Sequence, residues 1–253
     1  GCGFLEFTDS LFHCNVSIEG DLMKRVFVFD LDGTLIDSIE MINNCFNHTT
    51  KKFGLKPVEK EKFNYFLGDG PKILVEKSLN YLIQRDNLDE AVINSKFTEI
   101  YDSYIEYYNG YDDKKTQLYP YIRESLDKIK EMGALVCVCT NKTLPAAEKI
   151  LNNLFPQGYF DYVSALEDEP KRKPNPFLLE KIVEDLDIKK EEIVYFGDTD
   201  TDIETCKNAK VTSVGVEWGF REREEIVESG ADFAISDQRR IVDFYGELPK
   251  NIG

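Results

Sequence analysis

The stretch Val26-Phe27-Val28-Phe29-Asp30-Leu31-Asp32-Gly33-Thr34 decides the predicted fold. Its first four residues are apolar, and a short apolar run of this kind is typical of a strand buried on both faces of a sheet. The run stops at an acid, and a second acid follows two positions later. We therefore expect a central strand whose carboxyl end presents Asp30 and Asp32 together.

A strand–helix alternation resumes far downstream of this stretch. Apolar runs at 135–139, 193–197, 213–216 and 233–235, and a weaker one at 162–165, are separated by patterns with helical spacing. Strands that alternate with helices of this length imply a parallel sheet covered by helices on both faces. The sequence thus predicts an α/β protein with a Rossmann-like, doubly wound parallel sheet.

A helical block interrupts the alternation directly after the first strand. It covers residues 39–117 and includes one expected helix over about 88–108, which ends near Asn109-Gly110. We interpret the block as an inserted helical cap. The predicted division is an irregular extension at 1–22, a catalytic core at 23–38 and 118–253, and the cap at 39–117.

Polar residues follow four of the predicted strands at their carboxyl ends. The segments are Asp30–Thr34, Thr140-Asn141-Lys142, Lys173 in a Pro-containing loop, and Gly197–Asp202. Ligand sites of open α/β sheets lie beyond the carboxyl ends of the strands, so the fold should gather these segments. Each alone is a weak signal, because an acidic turn or a basic loop is more often solvated surface. Their occurrence together in this order is a strong one.

These segments resemble the motifs of the haloacid dehalogenase superfamily, and in particular its phosphatases with a helical cap after the first strand. The span Asp30–Ser38 is similar to the family's first motif, DxDGTLxDS, and Thr140 to the second. Lys173 is similar to the third motif and Gly197–Asp202 to the fourth. The resemblance runs from about Arg25 to the C-terminus.

Smaller similarities narrow the subfamily. Gly68-Asp69-Gly70, Thr140-Asn141-Lys142, Lys173–Pro176 and Val216–Arg221 all resemble segments of phosphoglycolate phosphatases. The resemblance implies a phosphoric monoester hydrolase that forms a phosphoaspartate, with 2-phosphoglycolate as the favoured substrate. Asp30 is then the nucleophile, and Asp32 protonates the leaving oxygen and later deprotonates the attacking water.

The resemblance also implies a magnesium ion, because a phosphate dianion repels a carboxylate nucleophile unless the charge is neutralised. Mg²⁺ prefers oxygen ligands, and the expected ones are Asp30, Asp198 and the backbone carbonyl of Asp32. Asp202 is expected behind this shell, where it positions Lys173 or a metal-bound water.

Further residues are implied to contact the phosphate. Thr140 and Lys173 are expected to hold the transferring phosphoryl oxygens during catalysis. Gly33, Thr34 and Asn141 are expected to bind phosphate, Gly33 because it permits a close backbone approach. In the cap, Asp69 and Lys72 are expected near the distal end of the substrate, and the tyrosines at 101–111 are expected to pack internally.

Composition excludes several other functions. The formal net charge is −16, which disfavours nucleic-acid and anionic-membrane partners. Only two histidines occur, so His-based zinc sites and Ser-His-Asp chemistry are disfavoured. Six cysteines without a CxxC pair indicate buried thiols in a reducing compartment. We expect a soluble, cytoplasmic monomer or homodimer that acts on a small phosphorylated metabolite.

Alternatives remain open at the level of the sequence. The substrate could instead be pyrophosphate, a nucleotide or a sugar phosphate, and a phosphomutase uses the same aspartate. Asp32 opposes a phosphonate-cleaving relative, and Asp32 with Asp198 opposes a dehalogenase. A receiver-type signalling module also accepts phosphate on a strand-end Asp, but it is about half this length and has no helical insertion.

Overall fold

A six-stranded parallel sheet lies at the centre of the fold. The computed structural model describes residues 23–250. The extension expected over residues 1–22 lies outside the described residues. The strands are β1 (Val26–Phe29), β2 (Ile36–Asp37), β3 (Gln117–Leu118), β4 (Leu135–Thr143), β5 (Tyr162–Leu166), β6 (Ile193–Gly197), β7 (Thr212–Val216) and β8 (Phe233–Ile235). The sheet order is β5-β4-β1-β6-β7-β8, and each neighbouring pair is parallel.

Ten α-helices lie in the described residues 23–250. They are α1 (Ile39–Lys51), α2 (Phe63–Phe66), α3 (Pro71–Asp86), α4 (Glu90–Ser95), α5 (Phe97–Gly110), α6 (Ile122–Glu131), α7 (Leu144–Leu154), α8 (Phe177–Asp185), α9 (Asp200–Ala209) and α10 (Arg223–Glu228). Among them, α6 to α9 pack on the two faces of the sheet. Side chains of β1 alternate between two cores: Phe27 and Phe29 face α6 and α7, whereas Val26 and Val28 face α8 and α9. The predicted doubly wound α/β fold is confirmed.

The order of the strands fixes where a ligand can bind. From β1 the chain continues to β4 and β5 on one side, and then returns to β6 on the other side of β1. Phe29 is therefore paired with Val138 of β4 and with Phe196 of β6. A crevice opens where the strand order reverses, so the residues that follow β1, β4 and β6 meet beyond the carboxyl edge of the sheet.

Helices α1 to α5 form an insertion between β2 and β3, which pair antiparallel at its base. The insertion has a core of its own, built around Phe46, Phe63 and Tyr104. Among the helices of residues 23–250, none has both the length and the apolar character needed to cross a membrane. The sequence-based division into core and cap segments stays our proposal for the domain boundaries.

One helix prediction was wrong in detail. The helix expected over 88–108 is interrupted at Lys96, which separates α4 from α5. At this break the Ser95 hydroxyl donates to the Val92 carbonyl (2.7 Å), and Asp89 accepts a hydrogen bond from the Val92 N–H at the start of α4. Short polar side chains that bond to nearby backbone groups compete with helix propagation, and apolar spacing alone does not reveal this competition.

Phe196 tests how far the fold depends on the packing of β1 against β6. Its ring is fully buried and contacts the rings of Phe29 (4.9 Å between centroids) and Phe244 (5.5 Å). We expect Phe196→Ala to lower the free energy of unfolding by about 3–5 kcal/mol, because the site cannot collapse fully around the cavity. Urea denaturation measures the loss. Tyr65→Ala, at a side chain in solvent, is the control and should change stability by less than about 0.5 kcal/mol.

Candidate active site

Asp30 directly follows β1 and is only 4% exposed. Its N–H donates to the carbonyl of Phe196 (2.9 Å), which extends the pairing with β6 by one residue. Its Oδ1 accepts from the N–H of Leu31 (2.7 Å) and lies 3.2 Å from Nζ of Lys173. Burial, followed by repulsion from Asp202, raises the pKa of Asp30 well above its ordinary value, although Lys173 opposes the shift. The nucleophile candidate is thus a buried acid that needs a cation to stay ionised.

Lys173 supplies one such cation. Its side chain is 1% exposed, and Nζ donates to Oδ1 of Asp202 (2.7 Å), to the Tyr195 hydroxyl (2.8 Å) and to the Cys139 carbonyl (3.0 Å). Burial by itself lowers the pKa of this ammonium, but Asp202 and Asp30 together raise it above its ordinary value. Lys173 is therefore charged, and it is held in place on several sides.

The start of α9 fixes Asp202. The Thr199 hydroxyl and backbone N–H both donate to Oδ2 of Asp202, at 2.9 and 3.2 Å, as part of a capping box. The other carboxylate oxygen accepts from Lys173 and from Tyr195 (2.8 Å). Both oxygens of Asp202 thus accept hydrogen bonds from protein groups, and its place behind the metal ligands stays a prediction.

Asp198 follows β6 and is fully buried. Its Oδ1 accepts from the Thr34 hydroxyl (3.1 Å), and its Oδ2 accepts from the N–H of Phe220 (2.8 Å). Burial, followed by repulsion from Asp202, raises the pKa of Asp198 to about 7. The Thr34 side chain orients Asp198, because the turn after β1 lies directly against the end of β6. The phosphate contact expected of Thr34 stays a prediction.

Gly33 makes this close approach possible. Its φ is +85°, a conformation that L side chains rarely adopt, and a Cβ built here would lie 2.2 Å from Oδ2 of Asp198. Gly219 approaches from the opposite side, where a Cβ would lie 2.4 Å from the Gly33 carbonyl oxygen. The backbone around Asp198 is thus packed too tightly for any side chain at either glycine.

The carboxylate of Asp32 is held by a second lysine. Nζ of Lys142 donates to both of its oxygens, at 3.0 and 3.3 Å, and the Ser38 hydroxyl donates to Oδ1. Lys142 also donates to the hydroxyl of Tyr108 from α5. The candidate acid–base residue is therefore linked through Lys142 to the helical insertion.

Thr140 and Asn141 lie at the carboxyl end of β4, and both are buried. The Thr140 hydroxyl accepts from the N–H of Lys142 (3.1 Å) and lines the cavity above Asp30. The Asn141 amide accepts from the Lys173 N–H (2.7 Å) and donates to the carbonyls of Lys173 and Gly68, both at 3.1 Å. Its side chain thus positions the Lys173 loop and the insertion, and the phosphate contact expected from the sequence stays a prediction.

A cavity of about 40 Å³ lies between the sheet edge and the insertion. Its floor is formed by Asp30, Asp32, Thr140, Asn141 and Lys142, and its roof by Ile42, Leu67, Gly68, Gly70, Pro71, Leu74, Tyr104 and Tyr108. The turn of the insertion contributes Gly68, Gly70 and Pro71 to the cavity wall. The expectation that Asp69 faces the substrate is corrected: its carboxylate accepts hydrogen bonds from Thr201 (2.6 Å) and Lys77 (2.7 Å).

The site holds more carboxylate groups than lysine ammonium groups. Four carboxylates, those of Asp30, Asp32, Asp198 and Asp202, face the two ammonium groups of Lys142 and Lys173. One oxygen each of Asp30, Asp198 and Asp202 lies within 4.8 Å of the other two. This all-oxygen donor set fits a hard divalent cation, because buried like charges are costly without one.

Comparisons with known proteins agree with this geometry. Residues 27–216 match the family described as haloacid dehalogenase-like hydrolase. The chain belongs to this family. It is 30% identical over 215 residues to a phosphoglycolate phosphatase of Agrobacterium fabrum (85% of this chain, 89% of the relative), and 32% identical over 197 residues to one of Aquifex aeolicus (78% and 86%). A solved structure of a predicted phosphoglycolate phosphatase from Haemophilus somnus shares the fold, with a TM-score of 0.78 and 23% identity over 87% of this chain and 96% of that one. The predicted family and enzyme class are confirmed.

Sequence reasoning missed several residues of this hydrolase site. Lys142 was not assigned a role of its own. It lies two residues beyond Thr140 on the same strand, and this spacing predicts that both side chains point to the same face. Tyr195 lies in the apolar run of β6, where a hydroxyl needs a partner once buried. Tyr104 and Tyr108 were expected to pack inside the cap, and they do, yet they also line the cavity.

Gly33 gives a direct test of this packing in the hydrolase. Gly33→Ala introduces a methyl group against Asp198, so we expect a larger loss of unfolding free energy than for Gly54→Ala. Gly54 is the matched control, because it also has a positive φ (+71°) but no atom within 4 Å of the position that a Cβ would take. The difference between the two variants should be about 1–3 kcal/mol in urea denaturation. Equal losses would contradict the close approach.

Proposed function

We propose that this hydrolase is a magnesium-dependent phosphatase that transfers a phosphoryl group to Asp30 and then to water. The observation that carries the proposal is the position of Asp30: a buried carboxylate, 3.2 Å from Lys173 and grouped with Asp198 and Asp202, on the floor of a cavity. A buried acid that is activated by neighbouring cations is the arrangement a carboxylate nucleophile requires.

Asp30, Asp198 and the backbone carbonyl of Asp32 would hold Mg²⁺, and Asp202 would stand behind them. A bound magnesium ion would neutralise the excess negative charge and draw electron density from the phosphoryl group. The residues prepare this arrangement: Thr34 and Phe220 orient the two oxygens of Asp198, and Lys173 remains charged beside Asp30. The oxygen-only donor set supports magnesium over a softer metal.

In the first step a carboxylate oxygen of Asp30 attacks phosphorus, and the bond from phosphorus to the ester oxygen breaks. The leaving oxygen takes a proton from Asp32, which must then have turned from Lys142 toward the substrate. Lys173 and the Thr140 hydroxyl lie beside the transferred group and stabilise its charge. The N–H of Leu31 fixes the rotation of the Asp30 carboxylate during the attack.

In the second step Asp32, now ionised, removes a proton from a water molecule, and this water attacks phosphorus of the phosphoaspartate. The acyl phosphate bond breaks, phosphate leaves and the Asp30 carboxylate is regenerated. Asp32 thus gives and recovers one proton per turnover. Its hydrogen bonds to the side chains of Ser38 and Lys142, which can rotate, support this change of role.

The substrate we propose is 2-phosphoglycolate. The relatives at 30% and 32% identity carry the name phosphoglycolate phosphatase, and the cavity of about 40 Å³ favours a small leaving group. The narrow roof over Asp30 gives less support to a nucleotide or a sugar phosphate. The cytoplasmic location and the monomeric or homodimeric state stay predictions.

Replacing the nucleophile tests the mechanism. Asp30→Asn should lower phosphatase turnover by about 10⁴-fold or more and should abolish acid-stable labelling of the chain by ³²P-phosphorylated substrate. Asp200→Asn, at an exposed carboxylate of the same strand-end group, is the control and should retain both properties. Labelling of Asp30→Asn at the wild-type level would place the nucleophile elsewhere.

Removing the metal tests the assignment of Asp198. Excess EDTA should stop turnover, and added Mg²⁺ should restore it. Magnesium at about 100 times its dissociation constant should also stabilise the wild-type fold by about 2.7 kcal/mol, measured by thermal unfolding. This stabilisation should disappear in Asp198→Asn and persist in Glu204→Gln, a control on the exposed side of α9. Full activity in EDTA would rule the cation out.

A further inference from the structure

A second buried lysine, Lys142, lies in this site, and in the proposed mechanism it acts on Asp32 without contacting the transferred phosphoryl group. Lys173 is committed to Asp30, Asp202, Tyr195 and the Cys139 carbonyl. Lys142, in contrast, lies on the cavity wall with its side chain only 1% exposed, and its carboxylate partner there is Asp32. A substrate that occupies the cavity would therefore lie next to this ammonium group.

The position of Lys142 relative to Asp32 indicates which part of the substrate this ammonium group would contact. Under the proposed function Asp32 protonates the leaving oxygen, so the Asp32 carboxylate marks the leaving-group side of the phosphate. Nζ of Lys142 lies 3.0 Å from that carboxylate. The positive charge is therefore beside the leaving group, on the side of the site away from the Lys173–Asp202 pair.

The other side chains that line the cavity around Lys142 restrict the kind of ligand that it can bind. Over it lie the side chains of Ile42, Leu74 and Tyr104, which give the roof an apolar surface. The Tyr108 hydroxyl accepts from Lys142, which leaves the phenol hydrogen to be donated. Burial raises the pKa of Tyr108, so the phenol is a neutral donor. An ammonium and a phenol at the end of an apolar pocket form a site for a small anion, since an anion would otherwise be buried without partners.

We propose that Lys142 and Tyr108 bind a carboxylate carried by the carbon next to the leaving oxygen, and that the substrates are therefore small phosphorylated 2-hydroxy acids. The inference rests on the proposed function and adds the residues that recognise the leaving group. In the absence of substrate, Lys142 pairs with Asp32. With substrate present, Lys142 pairs with the substrate carboxylate instead, and Asp32 is free to turn toward the leaving oxygen.

A pair of substrates isolates this recognition. 2-Phosphoglycolate carries the carboxylate, and ethyl phosphate has a methyl group in its place with the same number of heavy atoms in the chain up to that carbon. The measured quantity is the ratio of kcat/KM for 2-phosphoglycolate to kcat/KM for ethyl phosphate. Comparing this ratio between a variant and the wild type cancels the different intrinsic reactivity of the two esters.

We expect Lys142→Gln to lower this ratio by about 100-fold, because a buried substrate charge loses its partner. Tyr108→Phe should lower it by about 10-fold, since one hydrogen bond to a charged group is lost. Lys149→Gln is the matched control: it removes one positive charge from the adjacent α7, where Lys149 donates to the Gly110 carbonyl, and it should leave the ratio within about twofold of wild type.

The outcomes separate this inference from the proposed function. A wild-type enzyme that hydrolyses neither ester contradicts the proposed function itself. Wild-type hydrolysis without preference for 2-phosphoglycolate, or an equal loss on both esters in Lys142→Gln, overturns the inference alone and makes Lys142 a counter-ion of Asp32 only. Should Lys142→Gln fail to fold, the wild type decides: glycolate should inhibit ethyl phosphate turnover at a concentration at least about tenfold lower than ethylene glycol does.

Discussion

The ion pair between Lys173 and Asp202 is the interaction on which the rest of the site depends. Parallel strands end at one edge of the sheet, and this topology forces the carboxylates of Asp30, Asp198 and Asp202 into a space from which water is largely excluded. Buried like charges are unfavourable unless a cation and hydrogen bonds compensate them. Lys173 provides the charge, and Tyr195 with the start of α9 fixes the geometry, so the acids can remain together near Asp30.

Much of this arrangement could be predicted from the sequence, because the carboxyl ends of neighbouring parallel strands lie at the same edge of a sheet. The acid after the run at 26–29, the hydroxyl at the end of 135–139 and the acid after 193–197 had to meet at one edge once the strands were assigned. The same logic placed Lys173 in the loop after β5. The helical insertion was equally predictable, since its residues break the alternation of strands and helices.

Side-chain direction could not be predicted in the same way. Asn141 bonds to the Gly68 turn and Thr34 to Asp198, because short polar side chains bond to whichever backbone or carboxylate lies nearest. These neighbours come from distant segments of the chain. The pairing of Lys142 with Tyr108 joins β4 to α5, and no local pattern encodes that contact. Likewise, the hydrogen bond of the Ser95 hydroxyl next to the break at Lys96 is a local polar contact that apolar periodicity does not report.

The loop after β7 joins two parts of the molecule through adjacent residues. Phe220 donates its N–H to Asp198, and the next residue, Arg221, donates to the carbonyls of Leu67 and Asn64 in the insertion. One short loop therefore holds both the carboxylate of Asp198 and the cavity wall at Leu67. A substitution that moves this loop would alter both ends of the site together, because two consecutive residues make the two sets of contacts.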